Sequence, residues 1–441
     1  MNTMTVKQTL FSVVSEILAG CEGVQQVNAQ NIQTLLSEST QQIAYSIEQM
    51  TRDLETSMGF SSAYASLTAQ QIAPKPTLYS FLIFQATQAS RSSTISSRQQ
   101  RYNLVAPEFT CFLFDQNIDQ YNVGYREDNA VQRTIDQAAQ CLAHDPDFYL
   151  RGILQTLDLC WSGLARATEL PQDLRAYGLL VPYIHWLRTH RATRSDIADV
   201  LYTVADVLTN EHLAQIAFAG GIYTNEHFQR YSDFVDSALG NVDSHRVENA
   251  EQTVARAMLR GQGYLMVSVS HYLLQQCDSR DPNTASEAHT VRQLLQTNPQ
   301  LVELVRLAEA LVRVGDDAGD LAIDLDTHAP NIFLSTATLQ QFFLQLALSD
   351  NDFTELERLL KLGRQSNKDA TRAMDTLSGI EKLYYDVFLD NRYAYSKDFQ
   401  AFVRVIRAVV YGAKVNAVYN DRIAANIGQL LGARTPAQTV H

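Results

Sequence analysis

Leu311–Asp326 reads LVRVGDDAGDLAIDLD and sets five aspartates in a run whose other positions resemble a helix interior. Asp316, Asp320 and Asp324 are spaced i, i+4, i+8, so on an α-helix they form one row roughly 12 Å long. Like charges at that spacing destabilise a helix by about 0.2–0.5 kcal/mol per pair, and along the sequence only Arg313 is near enough to offset them. Such a cost points to a cation. Leu307, Leu311, Val312, Val314, Leu321, Ile323 and Leu325 lead into and run through the segment, which predicts that the row faces a cavity inside a helical bundle. Hard carboxylate oxygens suit Mg2+, which takes one or two carboxylates and keeps positions for water and phosphate oxygens. The alternative is a solvated acidic helix face.

A second acidic helix face is expected at Phe109–Tyr121, FTCFLFDQNIDQY, where an aromatic and apolar approach ends in Asp115 and Asp119, again one turn apart. Two carboxylates so placed can bridge metal ions; a polar pair closing an apolar helix is the plainer reading.

The Leu311–Asp326 run resembles the second metal-binding motif of class I terpene synthases, (N/D)DxxS/TxxxE, in the variant that reads RLxDDLGTxxxE. On that resemblance Arg313 stands three residues before the motif, Asp316 takes the first ligand place, Asp320 the Ser/Thr place and Asp324 the Glu place, and Asn331 follows in THAPNIF. A carboxylate thus replaces a hydroxyl, and Asp324 is one methylene shorter than Glu. Asp115 and Asp119 resemble the family's first motif, DDxxD, with Gln116 in place of the second Asp. The interval between the two motifs is longer than in bacterial members, which implies an insertion or a different first motif. Read as DDxxD, Asp316, Asp317 and Asp320 also resemble the second motif of chain-elongating prenyltransferases.

What the terpene synthase resemblance implies is an all-α chain: a helical bundle of the isoprenoid synthase type around a central apolar cavity over residues 61–441, with an N-terminal helical extension over 1–60. Asp115, Asp119, Asp316, Asp320 and Asp324 would bind a cluster of about three Mg2+ ions with substrate present. The departing diphosphate also needs cationic donors. Arg392 and Tyr393 stand where bacterial members carry an Arg-Tyr pair that grips it, and Arg313 and Arg260 are further candidates. Arg256 competes with Arg260, whose neighbours Gly261 and Gly263 allow a helix break, and Tyr419 and Asp421 are rivals for the closing segment. A prenyl diphosphate, farnesyl or geranylgeranyl, would ionise and cyclise among apolar walls that exclude water. Phe84, Phe109, Phe112, Trp186 and Phe342 are candidates for those walls, each with plain core packing as its alternative.

Composition bounds these readings. The 441 residues suffice for one large or two ordinary domains. At 46% apolar and 19% charged residues the chain is globular and not disordered. A net charge of −13 argues against nucleic acid or an anionic membrane as the main partner. Five cysteines without a CxxC pair indicate neither a zinc site nor a disulfide framework, and fit a reducing cytoplasm. Leu18–Cys21 matches a lipoprotein cleavage box, but Glu16 interrupts the apolar run and only Lys7 precedes it, which favours an amphipathic first helix. No segment reaches 18 uninterrupted apolar residues, so no membrane span is expected.

The remaining chain reads as helix after helix, over 5–19, 28–57, 128–143, 147–166, 172–190, 195–209, 246–275, 299–326 and four further stretches to 431, with a polar connection over 88–100. Strand alternation and hairpin turns are missing. Alternative functions are a chain-elongating prenyl diphosphate synthase and a non-catalytic helical interaction protein; a homodimer is compatible with each.

Overall fold

The computed structural model describes residues 29–78, 80–81, 97–122, 145, 147–163, 166–190, 192–218 and 313. Every regular element among them is helical and none is a strand, as the apolar periodicity predicts. Six α-helices can be followed: α1 (Ala29–Met58), α2 (Ser62–Ile72), α3 (Arg98–Asn122), α4 (Phe148–Trp161), α5 (Leu180–Thr189) and α6 (Arg194–Phe218). Between α4 and α5 the chain makes two short 3-10 turns, Ala167–Glu169 and Gln172–Tyr177.

The ends of these helices follow from local chemistry. Helix α1 stops at Gly59, whose φ of +73° a side chain would resist. The next helix starts where the Ser61 hydroxyl accepts from the Tyr64 N–H at 3.4 Å. Helix α3 begins inside the stretch whose composition predicts a connection. Its start is a capping box: the Ser97 hydroxyl accepts from the Gln100 N–H at 3.1 Å, and the Gln100 side chain accepts from the Ser97 N–H at 3.3 Å. Pro107 sits within α3; it has no N–H to give the Asn103 carbonyl, so one rung of the ladder is absent there. Thr193 and Asp196 close a similar box at the start of α6, with backbone-to-side-chain bonds of 2.8 and 3.1 Å. The single helix expected over 172–190 divides at Gly178 and Leu179 into a 3-10 turn and α5.

Helix α1 turns Ile43, Met50, Leu54 and Met58 inward and leaves Gln41, Glu48 and Arg52 in water, an amphipathic pattern. It packs on α2, on both 3-10 turns and on α3. Helix α3 packs on α5 and α6, and α4 packs on the same two helices from its own side. One continuous core results, with Phe109, Leu113 and Phe114 of α3, Ile153 and Leu157 of α4, Tyr183 and Ile184 of α5, and Leu201, Val204 and Leu208 of α6 meeting Met50 and Leu54 of α1. Gly152 lets α4 approach the second turn closely, since a Cβ there would lie 2.6 Å from the Tyr177 ring.

Helix α6 is deeply buried over its middle part. Every residue from Asp199 to His212 except Tyr202 is buried, so it has no solvated face, and its polar residues have to find partners inside the protein.

Candidate functional site between helices α3 and α6

Helix α3 presents Glu108, Cys111 and Asp115 along one side, at three- and four-residue steps. Glu108 is buried at 5% exposure. The Ser80 hydroxyl lies 3.1 and 3.2 Å from its two carboxylate oxygens. Asp115, two turns on, is half-buried. Cys111 lies fully inside as a free thiol. Burial, followed by the nearby charges of Glu108, Asp115 and Glu211, pushes its thiol well above the usual range and keeps it protonated. Carboxylates from both helices therefore act on one sulfur.

Helix α6 answers with its own buried polar set. Asn210 donates through Nδ2 to the Asp206 carbonyl and to the Asp206 carboxylate, each at 2.7 Å. Thr203 bonds back to the Asp199 carbonyl at 3.2 Å. Glu211, 8% exposed, accepts from Nη1 of Arg313 at 3.0 Å, and Arg313 is itself only 5% exposed. His212 packs its ring on Tyr149 of α4 with centroids 5.2 Å apart, and the Tyr149 hydroxyl contacts Nδ1. Burial lowers the His212 pKa to about 3, so the imidazole is neutral.

Of the residues singled out from sequence, Asp115 is half-buried on α3 beside Cys111, and Arg313 pairs with Glu211 of α6. Asp119 follows on α3, one turn beyond Asp115. Asp316, Asp320, Asp324, Arg260, Arg392 and Tyr393 lie outside the described residues, as do Arg256, Asn331, Tyr419 and Asp421. Phe109 is a core residue at 0% exposure. Phe112 is half-buried with the Lys75 ammonium 5.5 Å from its ring centre, and Trp186 stacks on His190 at 4.4 Å. Phe84 and Phe342 lie outside the described residues.

The donor chemistry at the seam is oxygen, in carboxylates and a carboxamide, with one protonated thiol that makes a poor ligand. Such a set fits a hard cation and not a soft one. Among the described residues no three His, Cys, Asp or Glu side chains are grouped to hold a metal ion, so the metal reading depends on the 316–324 row. Glu108, Asp206, Asn210 and Glu211 escape a motif-based reading because none stands at a metal-ligand or catalytic spacing in the sequence. The signal that could have found them is the run LYTVADVLTNEH, where a helix apolar on all sides still carries acids.

Comparison of the chain with protein-family models, with curated proteins and with solved structures gives no match. No helix among the described residues is long and apolar enough to cross a membrane.

Proposed function

We propose that the chain is a Mg2+-dependent class I terpene synthase, a lyase that ionises a linear prenyl diphosphate, farnesyl or geranylgeranyl, and cyclises the allylic cation with release of diphosphate. What supports the reading is that Asp115, from the first acidic motif, and Glu211, the partner of Arg313 at the head of the second, both bear electrostatically on the buried Cys111 thiol. A helical fold with a buried polar seam is the setting that such chemistry needs.

Asp115 and Asp119 from α3, and the Asp316, Asp320, Asp324 row, would hold the Mg2+ ions. When bound, the metal supplies Lewis-acid neutralisation of the charge that gathers on the leaving diphosphate. The chain's own groups do the rest. Arg260, Arg392 and Tyr393 donate hydrogen bonds to phosphate oxygens, and Arg313 brings positive charge to the acidic end of the seam. Aromatic and aliphatic walls would keep water from the cation and steer its folding; Phe112, half-buried on α3, is the candidate for them that the core does not enclose. Proton loss or water capture ends the reaction, and no protein base beyond the released diphosphate is required. The reading extends to a cytoplasmic enzyme and is compatible with a homodimer.

The test is incubation of purified protein with geranyl, farnesyl and geranylgeranyl diphosphates, with and without Mg2+, and gas chromatography of the extract. A cyclic hydrocarbon or alcohol formed from one substrate only when Mg2+ is present is the expected result. Longer diphosphates that appear only with added isopentenyl diphosphate would replace the cyclase by a chain-elongating synthase. No turnover of any substrate would leave a non-catalytic helical protein.

A further inference from the structure

Helix α1 is held in two different ways along its length. Over residues 50–58 its buried side carries Met50, Leu54 and Met58, with Ser57 beside them. Over residues 37–46 the buried residues are Ser39, Gln42, Ile43 and Ser46, so only Ile43 brings a large apolar side chain inward. The Ser46 hydroxyl finds no hydrogen-bond partner among the described residues. Apolar burial, the main favourable contribution to folding, is therefore concentrated in the second half of the helix.

In the first half, side-chain bonds to the start of α3 take its place. Gln42 donates to the Arg98 carbonyl at 3.1 Å and accepts from Nε of Arg101 at 3.0 Å. Arg98 donates to the Gln41 carboxamide oxygen, and the Tyr45 hydroxyl donates to that of Gln99. Gln41, Arg98 and Gln99 are exposed, so water replaces their bonds as soon as they open and each contributes little net. Arg101 is half-buried, with its guanidinium 5.7 Å from the Phe81 ring centre. Phe81 follows Ser80, whose hydroxyl bonds to Glu108.

We propose that residues 37–46 are a latch, which parts from the start of α3 as a unit while residues 50–58 stay in the core. Arg101 is its catch. Segments with few buried apolar contacts and solvent-exposed bonds open at lower free energy than the whole fold. Release also takes a support from Arg101, and through Phe81 from the segment that reaches Glu108. The latch does not depend on the lyase reading.

Hydrogen exchange of the full chain, resolved by peptide in a mass spectrometer, tests this. Amides of residues 37–46 are expected to exchange at least about tenfold faster than those of residues 50–58. Fraying of a helix end gives a similar gradient, so the deciding variant lies on α3 and leaves the α1 sequence intact. Arg101→Met is expected to speed exchange over 37–46 about tenfold and to leave 50–58 within about twofold of the wild type. Ser46→Ala, which removes a buried hydroxyl without a partner, should slow exchange over 37–46 about threefold. Should Arg101→Met fail to fold, Gln42→Ala is read instead. Alanine is the better helix former, so an end that merely frays would slow, whereas a released latch would speed about tenfold. Exchange over 37–46 within about twofold of the wild type in folded Arg101→Met would overturn the latch, and so would equal acceleration of both halves. Equal protection of the two halves in the wild-type protein would overturn it as well.

Discussion

His212 ties the interior of the protein to pH. Unfolded, an imidazole takes up its proton near pH 6.5; folded, this one does so only near pH 3. Between those values the unfolded chain holds the extra proton, so stability rises with pH across the window. The contribution is whole above about pH 6.5 and is lost as pH falls from there towards 3. Urea midpoints should therefore drop between about pH 7.5 and about pH 5, and His212→Gln should flatten that part of the difference. Tyr149→Phe would remove the hydroxyl at Nδ1 and is expected to cost about 1–3 kcal/mol by chemical denaturation. Tyr177 makes the opposite case. Its hydroxyl is buried and finds no hydrogen-bond partner among the described residues, while its ring stacks on Phe114. Tyr177→Phe should leave stability unchanged or raise it by up to about 1 kcal/mol. Gly152→Ala would press a methyl group into the same ring, at a cost of about 1–3 kcal/mol. That cost should shrink in a Tyr177→Leu background, and thermal melting of the double variant checks the coupling.

The elements show where sequence reasoning reaches and where it stops. Helix α1 was legible because Ile43, Ile47, Met50, Leu54 and Met58 repeat at helical spacing and the polar residues between them face water. The start of α3 was not, because Ser, Gln and Arg over 88–100 have the composition of a loop, and composition is blind to position. Only the pairing of Ser97 with Gln100 turns that stretch into a helix start. Ser97→Ala should destabilise the protein by about 0.5–2 kcal/mol, measured by denaturant midpoint. Tyr102, one turn into the same helix, donates to the Asp53 carboxylate of α1 at 2.6 Å, and this long-range bond could not be read from either sequence segment. Helix α6 was legible as a helix but not as a buried one. Asp199, Asp206 and Glu211 are buried there, which the spacing of its apolar residues alone does not announce.

Across the whole molecule, the aspartate row is the feature that separates a metal-dependent enzyme from a passive bundle. Asp316→Asn combined with Asp320→Asn should abolish Mg2+-dependent product formation by more than about 100-fold. In a non-catalytic bundle the same pair would be neutral or stabilising, through relief of like-charge repulsion. Activity assayed beside thermal melting distinguishes these outcomes. The helical class was legible from periodicity, whereas Asp316, Asp320 and Asp324 lie outside the described residues. What the sequence left hidden is the partner of Arg313, since nothing in the run containing Glu211 announces a bond across about a hundred residues. Cys111 adds a consequence of another kind. Its sulfur is closed off from water and keeps its proton under the influence of Glu108, Asp115 and Glu211, so alkylating reagents, which need the thiolate, find it inert while α3 and α6 stay together. Each moment of parting exposes it. Labelling at Cys111, followed peptide by peptide in a mass spectrometer, is thus a clock for the breathing of this seam, and any cation or diphosphate that settles there should make the clock run slow.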